Sequence, residues 1–195
     1  MVEERDIRQE SERELIHRIV AGRKQEFCFL VDRYKQKIYG LLRGMGASPM
    51  DAQDLTQETF IKAYRKLASH QPDKSFASWL YTIASNLLKD HKKKHRFEEH
   101  PIGQADTAVN DGPEQSLLRT ERRTEFQRLL ALLPANYRMV LLLRYTNDLS
   151  YEEIGEVLEV PVSKVQNDLY RAKKRLKQLM IESKEGMEYE MLGPR

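Results

Sequence analysis

The stretch LSYEEIGEVLEVPVSKVQNDLYRAKKRLKQL, Leu149 to Leu179, decides the fold class. Ser150 followed three residues later by Glu153 is a capping box, which opens a helix by satisfying two orphan N–H groups. Ile154 and Leu158 fall at i, i+4 and give that helix one buried stripe. Pro161 lacks a backbone donor and drives Val160 extended, so the helix ends there. Ser163 is placed to cap a second helix. Along it Val165, Leu169, Ala172, Leu176 and Leu179 share one face at 3.6-residue spacing. The opposite face carries Ser163, Asn167, Tyr170, Arg171, Lys174 and Gln178, whose hydroxyl, amide and cationic groups are the types that pair with base edges and phosphates. Two helices around a short turn, the second polar and basic outward, form a candidate helix-turn-helix. The turn lacks the glycine common in such units, and an ordinary αα-hairpin with a solvated face gives the same local pattern.

Composition frames the rest of the chain. Among 195 residues, 32% are charged and 8% aromatic, which suits helical bundles better than sheets. The length allows one large or two small domains. A net charge of +3 is modest for a nucleic-acid binder, so its distribution carries more weight. Basic residues cluster at Lys89, Lys92, Lys93, Lys94 and Arg96, and again at Arg171, Lys173, Lys174, Arg175 and Lys177. Cys28 stands alone, which excludes an internal disulfide and fits a reducing compartment. With no basic-then-apolar leader and no apolar run near the roughly 20 residues that cross a bilayer, the chain is expected to be cytoplasmic and not inserted in a membrane.

The organisation expected is all-α: two small helical domains joined by a flexible linker. The first, 1–96, holds a short helix with Leu15, Ile16 and Ile19 as its apolar stripe, then helices near 25–43, 48–68 and 76–96. Ser11 with Glu14 forms a further capping box, Gly44 and Gly46 end the second helix, and Ser48-Pro49 opens the third. Residues 97–113 carry Pro101, Gly103, Gly112 and Pro113 with few apolar side chains and read as the linker. The second domain, 114–182, holds helices near 114–133, 135–146, 150–159 and 163–182. The tail 183–195 is expected to be flexible and frayed.

Two helices of the first domain carry unusual faces. On the third, Ala52, Leu55, Ala63 and Leu67 point inward. Outward lie Asp54, Gln57, Glu58, Ile61 and Arg65, with Tyr64 at the edge. An isoleucine ringed by carboxylates and amides is awkward as a solvated face and suits an acidic docking surface, although one exposed isoleucine is common. On the fourth, Phe76, Leu80, Ile83 and Leu87 form the core stripe. One shoulder holds Trp79, Thr82, Asn86, Lys89 and Lys93, a set able to hold a DNA strand. A single tryptophan on a helix flank is more commonly core.

The ordered segments DAQDLTQETFIKAYRKL (51–67), SFASWLYTIASNLLKDHKKK (75–94), LLALLPANYRMVLLLRY (129–145) and the helix-turn-helix resemble bacterial RNA polymerase sigma factors of the sigma-70 family. The small size resembles the extracytoplasmic-function group, and the likeness spans about residues 12–182. The resemblance implies that Asp54, Gln57, Glu58, Ile61 and Tyr64 bind core RNA polymerase. It implies that the loop Ser69–Ser75 cradles a base flipped from the non-template single strand at the minus-ten element. His70 and Lys74 lie in that loop. Trp79 and Asn86 match the family pattern beside it, and the resemblance implies that Lys89, Lys92 and Lys93 hold backbone. In the second domain Ser163, Gln166, Asn167, Tyr170, Arg171 and Lys174 fall on the helix that reads the minus-thirty-five duplex. An anti-sigma factor, commonly membrane-anchored, is the further partner implied.

Two departures stand out. Relatives often carry a basic residue and Ser-Arg where this chain has Gln166, Asn167 and Asp168, and the loop holds His70, Gln71 and Lys74 without the usual arginine. Both point to altered promoter choice.

Other classes find little support. No glycine-rich phosphate loop, CxxC or nucleophile elbow is present. His91 and His95 have i, i+4 spacing but flank three lysines and lack a third ligand, so neither a metal nor another cofactor is expected. A stand-alone helix-turn-helix regulator remains the alternative, and it predicts tight specific duplex binding by the free chain.

Overall fold

The computed structural model describes residues 11–71, 73–95 and 126–192, all helical or connecting turns. The linker 97–113 and the first turns of the helix expected from 114 lie outside the described residues. Helices α1 (Glu12–Val20), α2 (Phe27–Gly44), α3 (Pro49–Lys66) and α4 (Phe76–His95) make the first domain. Helices α5 (Ala135–Leu141), α6 (Tyr151–Leu158) and α7 (Val162–Leu192), preceded by helical residues 126–131, make the second.

The helix starts are chemically specified. Ser48 accepts from the Asp51 N–H at 3.0 Å, with Pro49 in the first turn. Ser150 and Glu153 form the full reciprocal box, 3.1 and 2.8 Å. Ser11 also caps its helix, but its hydroxyl donates to the Glu14 carboxylate at 2.9 Å rather than completing the box. Glu26, buried between α1 and α2, accepts from Arg18 at 2.8 Å and from Arg23 at 3.3 Å. The Arg18 hydrogen bond holds its carboxyl below the usual range despite burial.

The α2–α3–α4 bundle closes over Leu30, Ile38, Leu42, Ala52, Leu55, Ala63 and Leu80, all buried. The expected α3 stripe is therefore the core stripe. On α4 the burial is broader than the sequence pattern suggests. Ile83 is half-buried, while Ser78, Tyr81, Ser85 and Leu88, off the expected stripe, are buried.

The cause is the second domain, which packs the turn after α5 against α2 and α6 against α4. Tyr81 donates to Asn147 Oδ1 at 2.7 Å, and Ser75 donates to Glu153 Oε1 at 2.6 Å. At the end of α2, a Cβ on Gly44 would lie 2.8 Å from Leu142 Cδ1, so the absence of a side chain admits the leucine. Burial raises the Tyr81 phenol pKa well above its ordinary value.

Three local features differ from expectation. Residues 142–146 continue α5 as a π turn. The recognition helix begins at Val162, so Ser163 lies inside it and is not its cap. At the other end α7 runs to Leu192, where a frayed tail was expected from 183.

Candidate nucleic-acid and polymerase interface

The helix-turn-helix is closed by two backbone features. Glu159 ends α6 in the left-handed region at φ 56, and its N–H bonds back into the helix. Gly155, buried in α6, has the Val160 carbonyl oxygen 2.9 Å from where a Cβ would stand. The glycine that tight helix–turn packing requires thus sits one turn before the bend. A scan for glycine in the turn itself misses it.

Helix α7 buries Val165, Leu169, Ala172 and Leu179, with Leu176 half-buried, as its 3.6-residue stripe dictates. Ser163, Gln166, Asn167, Tyr170, Arg171 and Lys174 are all exposed, Tyr170 at 65%. Asp168 is half-buried and pairs with the exposed Lys164 at 3.3 Å. The pair removes one positive charge from the reading face and leaves Arg171 and Lys174 as its cations among the residues singled out.

The outward face of α3 is equally open. Asp54, Gln57 and Glu58 are exposed, Ile61 is 50% exposed and Tyr64 40%. Phe27 packs edge-on against Tyr64, ring centroids 5.0 Å apart. Between α2 and α3 runs a groove of about 640 Å³ lined by Val31, Lys35, Tyr39, Gln57, Phe60 and Ile61. Gln36, Gln53 and Gln57 rim this apolar trough, and Asp54 and Glu58 stand exposed on the same helix; periodicity on α3 alone could not reveal it.

The minus-ten candidates divide into three kinds. Lys74, Asn86, Lys89 and Lys93 are exposed. His70 and Trp79 are half-buried and packed together, centroids 5.2 Å apart, each also against Phe76 at 5.8 Å. Burial holds the His70 pKa below its ordinary value, opposed in part by a backbone hydrogen bond at Ser75. Lys92 donates to the Met45 carbonyl at 2.7 Å, and burial lowers its pKa, with Arg138 adding repulsion. Its amine is thus spent on the protein, whereas Lys89 and Lys93 show no such bond among the described residues.

A cleft of about 910 Å³ opens beside this loop, with Leu67, His70, Lys74 and Ser75 on one wall and Ile16 and His17 of α1 on the other. Its apolar floor and loop rim suit a planar ring system.

Among the described residues no cluster of three metal-capable side chains occurs. His91 instead approaches Asp51 at 3.5 Å. No helix among the described residues is long and apolar enough to cross a membrane.

Residues 30–98 match the Sigma-70 region 2 family, and residues 123–176 match Sigma-70, region 4. The chain is 35% identical to the RNA polymerase sigma-H factor of Pseudomonas aeruginosa, over 86% of this chain and 93% of the relative. It is 33% identical to the ECF RNA polymerase sigma factor SigW of Bacillus subtilis, covering 83% and 92%. Among solved structures, CnrH in complex with the cytosolic domain of CnrY superposes with a TM-score of 0.69 at 25% identity, covering 89% of this chain and 99% of that one.

Proposed function

We propose the following division of labour for a chain that belongs to the sigma-70 family, in its extracytoplasmic-function group. As such a factor it binds core RNA polymerase and promoter DNA and directs promoter-specific initiation of transcription. Sigma factors are regulatory DNA-binding proteins. Bond making in transcription is left to the polymerase, and we assign this chain no catalytic residue. Its place of action is the cytoplasm.

In our reading Asp54, Gln57, Glu58, Ile61 and Tyr64 dock on the polymerase. The half-exposed Ile61 in its polar rim, continuous with the α2–α3 groove, is the observation that carries this. A trough of that kind supplies desolvation at its centre and charge selection at its edge.

The cleft beside Ser69–Ser75 receives an unstacked base of the non-template strand. The energy of extrusion is offset by stacking and edge contacts. His70 and Trp79 brace the loop from inside, Lys74 and Asn86 reach the strand, and Lys89 and Lys93 hold phosphates. Lys92 braces the α2–α3 turn instead.

On the duplex at minus-thirty-five, α7 enters the major groove. Gln166, Asn167, Tyr170 and Arg171 face bases, while Ser163 and Lys174 anchor the backbone. Tyr170, largely exposed, is an apolar contact for a thymine methyl.

CnrH is seen with the cytosolic domain of CnrY, and a protein anti-sigma partner is our reading for this chain also. A stand-alone regulator has no use for the α3 face.

The test is co-purification with core polymerase. Asp54→Ala with Glu58→Ala abolishes it while the helical circular dichroism signal stays intact. Undiminished co-purification by the double variant overturns the docking assignment.

A further inference from the structure

Helix α1 is short, yet it is pinned at both ends. Near its start Glu12 accepts from the Tyr34 hydroxyl, and from Arg33 at 3.3 Å. In its last turn Arg18 donates to the buried Glu26 at 2.8 Å. A buried ion pair contributes little net stability, so these clamps serve chiefly to fix where α1 stands. Leu15, Ile16 and Ile19 face the bundle. A second face carries Arg13, Ile16, His17 and Val20, at i, i+3, i+4 and i+7. All four line the cleft of about 910 Å³, across from Leu67 and Lys74. Arg13 and His17 are exposed and Val20 is 52% exposed. The wall therefore offers a cation, an imidazole and branched apolar surface side by side. Its acidic groups are engaged at the first turn, Glu12 as above and Glu14 by the Ser11 hydroxyl at 2.9 Å.

One unstacked base does not fill this space. The cleft lies near the top of the range of about 300–1,000 Å³ that encloses a whole drug-sized molecule. The loop wall receives the flipped base, which leaves the α1 wall to a neighbour. Packing gives the direction. Helices α2 and α4 run the same way. Tyr34 meets Phe76 at the start of α4, ring centroids 5.8 Å apart, and Met45, just past α2, accepts from Lys92 near the end of α4. Helix α1 is tied to the first half of α2 and to the turn before it. It stands at the opposite end of α4 from Lys89 and Lys93, which lie about 15 and 21 Å beyond Trp79 by helical rise. A strand that leaves the duplex over those lysines reaches Trp79, then the loop, then α1.

We propose that the face of α1 formed by Arg13, Ile16, His17 and Val20 binds the nucleotide that follows the flipped base, toward the start site, on the non-template strand. It rests on the cleft reading above. Arg13 and His17 hold the connecting phosphate, one as a cation and the other through a ring N–H. Val20 and the edge of Ile16 bed the face of the base. Every base has such a face, so the grip tolerates any sequence. The occupant matches the wall, an anionic backbone for the two polar side chains and a flat ring for the two branched ones. Holding two successive nucleotides out of the duplex opposes re-pairing more than holding one. Helix α1 thereby stabilises the melted state and leaves promoter choice to the loop and to α7.

The experiment uses the full chain in holoenzyme, on a promoter fragment whose start site has been mapped. The photo-cross-linking residue benzoylphenylalanine replaces His17 in one variant and Lys74 in another. Position 17 is expected to cross-link to the non-template strand one or two nucleotides downstream of the nucleotide reached from position 74. Cross-links from position 17 to the template strand, to upstream nucleotides or to no DNA overturn the proposal. If position 74 also fails to reach the non-template strand, the cleft reading falls with it. Open-complex lifetime supplies the second readout, with Arg13→Ala and Val20→Ser, both at exposed positions that leave the fold intact. Arg13→Ala shortens the lifetime by about five-fold, the effect of about one net hydrogen bond, and lowers the log–log salt slope on pre-melted promoter by about 0.7. An abasic site at the following nucleotide abolishes the effect of Val20→Ser and spares that of Arg13→Ala. A shortened lifetime for Lys74→Ala with none for Arg13→Ala or Val20→Ser leaves the base cleft standing and removes α1 from it.

Discussion

Phe27, the first residue of α2, meets Tyr64 of α3 edge-on, ring planes at 65° and centroids 5.0 Å apart. The pair joins the two helices that wall the docking groove. It holds a half-exposed tyrosine in place beside Ile61 without itself belonging to the acidic rim. An aromatic pair of this geometry contributes about 0.5–1.5 kcal/mol beyond its buried area.

Replacing Phe27 with Leu is expected to weaken core polymerase affinity by about three- to ten-fold, the loss of that aromatic term. The fold should survive, because leucine keeps most of the apolar contact. Titration of labelled factor with core polymerase measures it. An unchanged dissociation constant means Tyr64 is not positioned by Phe27.

His70 gives a pH signature. Burial puts its folded pKa below 6.5, so below about pH 6.5 the unfolded chain binds more protons than the folded one. Its contribution to stability is complete above that pH and is lost as pH falls through the folded value. Thermal unfolding between pH 8 and 5 should show wild type losing more stability on acidification than His70→Gln. Parallel curves would mean that His70 titrates as if in water.

The helix-turn-helix bend makes opposite predictions for neighbouring residues. Gly155→Ala drives a methyl against the Val160 carbonyl and should cost about 1–3 kcal/mol. Glu159→Gly relieves a left-handed non-glycine backbone and should stabilise by about 1 kcal/mol. Urea unfolding distinguishes them, and equal effects of one sign would contradict the bend geometry.

Neighbouring lysines should behave differently toward salt. Lys93→Ala removes one phosphate contact and is expected to reduce the log–log salt slope of holoenzyme binding by about 1. Lys92→Ala should leave the slope alone and lower stability, since its amine is held by Met45. Equal slopes for the two variants would contradict this division.

On the recognition helix, Arg171→Ala should cost about 1–3 kcal/mol on promoters that use the upstream element. Promoters with that element scrambled should show no comparable loss.

What the sequence made legible was local. Ser150 with Glu153, Ser48 with Pro49, and the α3 and α7 stripes announce themselves because caps and 3.6-residue periodicity act within one helix. Long-range pairs did not. Tyr81 stands off the α4 core stripe because it serves a second domain, through Asn147, 66 residues on. Glu159 gave no sign of its left-handed backbone, since glutamate is a poor choice there. His70 and Lys92 looked like free DNA contacts because their types suit that role. Only packing reveals that one is clamped between rings and the other bonded to a carbonyl.

The central claim is that the first domain joins the machine and both domains choose the start site. It is tested most directly by mapping transcript 5′ ends made on genomic fragments by core polymerase with and without this chain. The account predicts new start sites that depend on the chain and share upstream elements near minus-thirty-five and minus-ten, and that are lost with Asp54→Ala, Glu58→Ala. Start sites identical with and without the chain would contradict it.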